Sequence, residues 1–370
     1  MKLAIFFTFG VSIENWKSTG MFDREIKYIS ALCGANAVSN LTLFTYSHLD
    51  EIYLDAVSER LPNVALRIVQ LARSRNPLIV IGSLIRIRSL IRDIDVLRAN
   101  QMIGSMRMLL IGLIMGKPSL VRSGYVPSKY LKLRGNLSLV KRVYHYVNEA
   151  CVSYFADAII ISSLHDQTYF FENYPLSRSK LNLIPNYVDI EPPSEIDFSH
   201  REDVFVFAGR LEKEKNVEAL VTAFNKLGRK LIVVGSGSLE AQLKSIAVDN
   251  IEFRRNLENF DLIELFKSSK YFVLPSLVEG MPKVLIEAMA SGCVCLGSPT
   301  PGISEIIKDD HSGHLLSGFS ADNIIQGVNR VIGSENNHIS RNAIGQANSQ
   351  YSLYSVVKSE SGLLQKMMGE

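Results

Sequence analysis

Apolar residues in this chain fall into two kinds of run. Short, continuous runs such as Leu3 to Phe9, Leu41 to Thr45, Val64 to Val69 and Leu78 to Ile81 read as strands buried on both faces. Between them apolar residues recur every three or four positions, as at Phe22, Ile26 and Ile29, the spacing of a helix with one buried face. The alternation continues through a helix over Gln101 to Gly116, a strand over Ser119 to Val121 and a helix over Leu137 to Tyr154. A strand over Ala158 to Ile161, a helix over Leu164 to Glu172 and a strand over Leu181 to Ile184 follow. Strands separated by helices pair in parallel, so the pattern predicts α/β units with the helices covering the sheet faces.

A second series opens at Val204 to Ala208, with further strands over Leu231 to Val234, Ile251 to Phe253, Tyr271 to Leu274 and Val294 to Leu296. Its helices are expected from Val217, over Leu239 to Ile246 with Ser238 as N-cap, and over Phe260 to Ser268. Glu191-Pro192-Pro193-Ser194, just before this series, has the composition of a linker. Between Pro275 and Val294 lie a loop and a helix, with Pro282 fitting the first helical position. On a helical wheel Val284, Leu285, Ile286, Ala288, Met289 and Ala290 leave one polar stripe of Lys283, Glu287 and Ser291. Glu279 precedes this helix in a loop at the C-terminal end of a strand, where open α/β sheets hold ligands. Two carboxylates, a loop and a helix start thus converge on one crevice, although spacing alone reads equally as two solvated side chains.

Two further stretches invite chemistry. Gly209-Arg210-Leu211-Glu212-Lys213-Glu214-Lys215-Asn216, a charged loop between a strand and a helix, suits a diphosphate, and also suits a salt-bridged surface. Gly235-Ser236-Gly237-Ser238 resembles a dinucleotide loop but lacks the third glycine, Glu240 standing in its place. Asp93-Ile94-Asp95 has the D-x-D form of a metal-diphosphate site, yet it leads directly into Val96-Leu97 and lacks further oxygen ligands, so it reads as punctuation before a strand.

Net charge is only +3, unevenly spread. Up to Ile190 there are 22 Lys and Arg against 14 Asp and Glu; beyond it, 18 against 23. Between Arg60 and Arg142 stand 16 basic residues with only Asp93 and Asp95 opposing them, interleaved with apolar residues as in Ile85-Arg86-Ile87-Arg88. Basic with apolar suggests an anionic membrane surface or a lipid phosphate, whereas no nucleic-acid module accompanies the charge. No apolar segment is long enough to span a bilayer, and Leu3 to Phe9 is too short for a signal peptide. Cys33, Cys151, Cys293 and Cys295 lack metal-type spacing, which favours a reducing, cytoplasmic compartment.

The run Glu279 to Gly292, E-G-M-P-K-V-L-I-E-A-M-A-S-G, resembles the E-x7-E signature of retaining glycosyltransferases of the GT-B architecture, specifically family 4, the glycosyl transferases group 1. The family's G-R-L-x-x-E-K-G pattern is matched at Gly209, Arg210, Leu211, Glu214 and Lys215 and departs at Asn216, where a residue tolerant of left-handed backbone replaces glycine. Gly302 and Glu305 match its G-x-x-E element, and A-D-A-I-I-I-S-S with L-N-L-I-P-N-Y-V-D resembles its domain-closing segment. The resemblance implies two Rossmann-like, doubly wound parallel-sheet domains facing a central cleft. They would be an acceptor domain over 1–186, a linker over 187–202, a nucleotide-sugar domain over 203–350 and a helix over 351–370 crossing back to the first.

By that resemblance Arg210 and Lys215 clamp the departing diphosphate, Glu279 holds the transferred sugar and steadies charge at its anomeric carbon, and Glu287 accepts from the ribose hydroxyls. Gly209, backbone amides of Gly280, Met281, Pro282 and Lys283 as far as each has one, and Gly20 in the first domain would complete the donor site. Asn256 and Leu257 would flank the base. Where many members carry a sugar-contacting histidine this chain has Arg122 and Tyr125, the acceptor-side candidates. The co-substrate would be a nucleotide diphosphate sugar, with no cofactor and no metal, and the acceptor a saccharide on a lipid diphosphate carrier at the inner face of a bacterial membrane. A sugar-nucleotide epimerase and a non-catalytic sugar-nucleotide-binding subunit are the alternatives.

Overall fold

A computed structural model describes residues 1–74, 76–124, 126–130, 139–191, 198–332 and 336–369. The chain forms two compact units, one of residues 1–184 with 353–370, the other of residues 185–352.

In the first unit β1 (Lys2–Phe6), α1 (Ile13–Ser18), α2 (Phe22–Ala35), β2 (Asn40–Thr45), α3 (Leu54–Ser58) and β3 (Ala65–Gln70) lead to α4 (Pro77–Arg92). β4 (Val96–Ala99), α5 (Met106–Met115), β5 (Ser119–Ser123), α6 (Leu139–Phe155), β6 (Ala158–Ile161), α7 (Leu164–Asn173) and β7 (Leu181–Leu183) follow. The strands lie in the order β3-β2-β1-β4-β5-β6-β7, all parallel, with Leu3 of β1 in register with Leu41 on one side and Val96 on the other. Leu3, Ala4 and Ile5 are fully buried, as a central strand covered on both faces requires.

The second unit runs β8 (Glu202–Ala208), α8 (Val217–Leu227), β9 (Leu231–Val234), α9 (Glu240–Ile246), β10 (Ile251–Arg254), α10 (Asn259–Ser268) and β11 (Ser269–Leu274). It continues α11 (Lys283–Ala290), β12 (Val294–Gly297), α12 (Pro301–Ser304), β13 (His314–Leu315), α13 (Ala321–Ile332) and α14 (Asn337–Tyr351). Its parallel sheet has the order β10-β9-β8-β11-β12-β13, so the direction of winding reverses between β8 and β11. Cys293 and Cys295 are fully buried free thiols in its core, Cys293 bonding the carbonyl of Phe266 at 3.1 Å.

Three local readings of the sequence change. Leu78 to Ile81 is not a strand but the first turn of α4: the Asn76 side chain accepts from Leu78 N–H at 3.0 Å and Pro77 follows as the first helical residue. Pro282 stands one position earlier than expected, as the extended N-cap of α11. Ser238 does not cap α9, because Glu212 takes it: the carboxylate accepts from its N–H at 2.9 Å and its hydroxyl at 2.6 Å.

The described part of the stretch read as a linker, 187–191 and 198–202, belongs to the second unit. Val188 N–H donates to the Tyr351 carbonyl at 2.8 Å, and Phe198 meets the Tyr271 ring edge-on at 5.9 Å. α15 (Leu353–Met368) lies in the first unit, packed on α2. Its Glu360 is fully buried, paired with Arg98 of β4 at 2.5 Å and Arg122 of β5 at 2.8 Å and accepting from the Tyr28 hydroxyl of α2. Burial alone pushes that carboxyl up, but the two guanidiniums and the hydroxyl outweigh it and hold it down at about 2.

Candidate active site

The chain leaves β8 through Gly209 and reaches α8 eight residues later, and this loop is fastened on two sides. Towards the end of β9, Gly209 N–H donates to the Val234 carbonyl at 3.0 Å, Leu211 N–H to Ser236 at 2.9 Å, and Leu239 N–H back to Leu211 at 3.0 Å. A Cβ on Gly235 would stand 2.0 Å from the Gly209 carbonyl oxygen, and one on Gly237 2.4 Å from that of Leu211. The glycines that resemble a dinucleotide loop therefore serve contact between two backbones. The same Ser238 bonds that take this residue from α9 hold the Glu212 carboxyl below its ordinary value.

Towards the end of β11 the fastening carries chemistry. Leu277 N–H donates to the Glu214 carbonyl at 2.8 Å. Asn216 adopts the left-handed conformation, φ +56°, that its place in the loop requires, and its amide donates to the carbonyls of Pro275 at 3.2 Å and Phe319 at 2.8 Å. Lys215 Nζ lies 2.5 Å from Glu279 Oε1, with both side chains mostly buried. The Ser276 hydroxyl donates to the same oxygen at 2.8 Å, and the Ser298 hydroxyl donates to the Ser276 carbonyl. A Cβ on Gly302 would fall 2.0 Å from the Gly280 carbonyl oxygen and 2.6 Å from that of Glu279, so α12 seats the Glu279 loop through a missing side chain.

α11 follows. Leu285, Ile286, Ala288, Met289 and Ala290 are fully buried, and Glu287 is only 9% exposed among them. Asn186 holds the helix entry, its amide donating to the Met281 carbonyl at 3.2 Å, and Lys283 Nζ stands 4.8 Å from the centre of the Tyr187 ring. Arg210 is exposed and paired with Glu214 at 2.9 Å, so Lys215 and Arg210 have different carboxylate partners. Asn256, at the end of β10, faces the Ser236 hydroxyl at 3.4 Å, and Leu257 is half-buried against the core.

Lys215 and Glu279 sit on the loops after β8 and β11, the two strands between which the winding reverses. That is the switch point at which open α/β sheets take ligands. Sequence spacing does not disclose Ser276 or Ser298, whose one signal is nearness to the matched motifs; Asn216 and Gly302 stand in the matched motifs themselves, which show neither the bonds of the one nor the seat made by the other.

The remaining residues singled out in the sequence belong to the first unit. Gly20 ends α1 with φ +69°, its N–H donating to the Lys17 carbonyl at 3.2 Å, which is the work of a turn glycine. Arg122, the acceptor-side candidate, has its guanidinium buried against Glu360 and the Tyr28 hydroxyl, the latter at 3.0 Å. Tyr125 lies outside the described residues. Asp95 accepts from the Lys2 N–H at 2.7 Å, tying the start of β4 to that of β1.

Two Rossmann-like parallel-sheet units define the fold class as GT-B. Residues 191–350, nearly all of the second unit, match the family model described as glycosyl transferases group 1. An N-acetylgalactosamine-N,N'-diacetylbacillosaminyl-diphospho-undecaprenol 4-alpha-N-acetylgalactosaminyltransferase of Campylobacter jejuni is 27% identical over 187 residues, 48% of this chain and 51% of that protein. A UDP-Gal:alpha-D-GlcNAc-diphosphoundecaprenol alpha-1,3-galactosyltransferase of Escherichia coli is 28% identical over 174 residues, 41% of this chain and 47% of that protein. The chain thus spans about half the length of these curated relatives. The crystal structure of Anabaena HepE in complex with UDP superposes with a TM-score of 0.75 at 15% identity, covering 99% of this chain and 100% of that one, a likeness of fold.

Proposed function

We propose that this chain is a retaining glycosyltransferase that moves a hexose-type sugar from a nucleotide diphosphate sugar to a saccharide on a lipid diphosphate carrier, without a metal, at the inner face of a bacterial membrane during surface polysaccharide assembly. The observation that carries the reading is the Lys215–Glu279 pair at the switch point of a glycosyl transferases group 1 unit. The two curated relatives, whose names specify lipid-diphosphate-linked acceptors, support the acceptor class.

On this reading the cation and the carboxylate divide the labour. Lys215, with Arg210, offsets negative charge growing on the leaving diphosphate. Glu279, fixed through one oxygen by Lys215 and Ser276, turns the other towards the hydroxyls of the sugar and steadies positive charge at the anomeric carbon. Glu287 accepts from the ribose hydroxyls, and the amides at Gly280, Met281 and Lys283 add donors at the start of α11. The leaving phosphate takes the acceptor proton on the face it departs from, which retains configuration and needs no enzymic base.

Calorimetric titration of UDP, GDP, ADP and CMP in excess EDTA tests the donor site. One diphosphate binds without metal, and Glu287→Ala weakens it; binding that appears only with a divalent ion restored overturns the metal-free reading. Sugar transfer to a lipid-diphosphate saccharide then completes the assignment. Epimerised donor or free sugar without acceptor selects the epimerase, and binding with no turnover selects the silent subunit.

A further inference from the structure

α6 is built the wrong way round for a helix of a water-facing domain. Leu139, Val143, Tyr146, Val147 and Tyr154 follow helical spacing and form one stripe, and all are exposed, while the residues it buries include Asn148 and Glu149. Buried Glu149 is fully used, accepting from the Ser128 N–H at 2.8 Å, the Ser128 hydroxyl at 2.5 Å and the Tyr174 hydroxyl at 2.9 Å. Its polar groups anchor the helix to the unit and its apolar face is turned outward.

The neighbouring helices do the same. α5 packs between α4 and α6 on one side of the first sheet and exposes Leu113 and Ile114. α4 buries Leu84, Ile87 and Ile91 towards the core, yet its opposite side shows Leu78, Ile81 and Ile85, Leu78 being 79% exposed. This accounts for the run misread as a buried strand: it is as apolar as one and faces out. An exposed apolar face continuing across three adjacent helices is an interaction surface.

Charge decides the partner. Arg86, Arg88 and Arg92 of α4 and Lys141 and Arg142 in the first turn of α6 are exposed on the same two helices. From Pro77 to Phe155 the sequence has only Asp93, Asp95 and Glu149 as acids, two of them already engaged by Lys2 and by Ser128 with Tyr174. A second copy docked by two-fold symmetry would set like charges against each other. An anionic lipid surface accepts both components, the apolar side chains entering the acyl boundary and the cations meeting phosphate headgroups. We infer that the outer face of α4, α5 and α6 is a membrane-docking surface that seats the first unit on anionic phospholipid. No helix among the described residues is long and apolar enough to cross a membrane, so this is adsorption to one leaflet.

Vesicle co-sedimentation of the full chain tests the inference, using phosphatidylcholine alone and an equimolar mixture with phosphatidylglycerol. The chain sediments with the anionic vesicles and far less with the neutral ones, and added salt releases it. Lys141→Glu with Arg142→Glu lowers the partition coefficient more than tenfold, since each cation near an anionic surface is worth about a fivefold effect. Val143→Ser with Val147→Ser lowers it by about as much, while circular dichroism melting and nucleotide binding stay as in the wild type. Absence of sedimentation with anionic vesicles, or binding by either double variant equal to that of the wild type, overturns the inference. A wild-type dimer in sedimentation velocity that Val143→Ser with Val147→Ser dissociates assigns the face to a second copy instead. The donor titration is independent of these arms, so failure of the glycosyltransferase reading and failure of this surface are told apart.

Discussion

Lys215 Nζ and Glu279 Oε1 stand 2.5 Å apart although 64 positions separate them in the chain. The pair joins the loops after β8 and β11, and each partner sets what the other can do. Glu279→Ala leaves Lys215 without its carboxylate and open to a diphosphate, so nucleotide affinity is kept or tightened while sugar transfer is lost. Lys215→Ala weakens both, with kcat down by about 10²- to 10³-fold, the scale of losing one preorganised charge. Calorimetry beside steady-state kinetics separates the two variants, and near-normal turnover of Glu279→Ala would end the assignment.

Asn216 combines a left-handed backbone with two side-chain bonds to the Pro275 and Phe319 carbonyls. Asn216→Gly, the residue usual in the family pattern, keeps the backbone and loses the bonds, for a cost of about 1–2 kcal/mol. Asn216→Ala loses the bonds and adds about 1 kcal/mol of backbone strain. Thermal unfolding should rank wild type above the glycine variant and the glycine variant above alanine; a reversal of the last two would contradict the strain argument.

Gly302 has no room for a side chain, since a Cβ would meet the Gly280 and Glu279 carbonyl oxygens at 2.0 and 2.6 Å. Backbone cannot swing aside as a flexible side chain does, so Gly302→Ala displaces the Glu279 loop. Turnover should fall at least about tenfold, as small misplacements in an active site do, with the circular dichroism spectrum retained. Unchanged kcat in the variant would show that the loop tolerates the shift.

Glu360 makes the first unit acid-sensitive in a defined window. Its carboxyl is held down at about 2 against an ordinary value of 4.5 by Arg98 and Arg122. A lowered carboxyl contributes stability that is complete above 4.5 and is lost as pH falls from there through about 2. Glu360→Gln leaves two buried guanidiniums without a counter-charge and should cost about 3–5 kcal/mol at neutral pH, with a flatter acid limb below pH 4.5. Urea unfolding across that range measures both; an acid limb equal to the wild type's would remove Glu360 as its source.

The strand-and-helix alternation gave the two parallel sheets, because central strands covered on both faces are apolar throughout and announce themselves, as Leu3 to Phe6 and Tyr271 to Leu274 do. The charged loop after β8 and the glutamates around α11 were equally legible, since a loop at a strand end keeps its chemistry in consecutive residues. Leu78 to Ile81 shows the limit: composition tells that a run is apolar, not which way it faces, and only the packing of α4 turned it outward. Arg122 shows another, for its partner Glu360 is 238 positions away and no local pattern reveals that the guanidinium is already taken. The sequence by itself determined the elements and the residue types at the site, which depend on local propensity and spacing. Tertiary structure alone decided the partners, because a buried charge must be satisfied by whichever group the fold brings to it, however far along the chain that group lies.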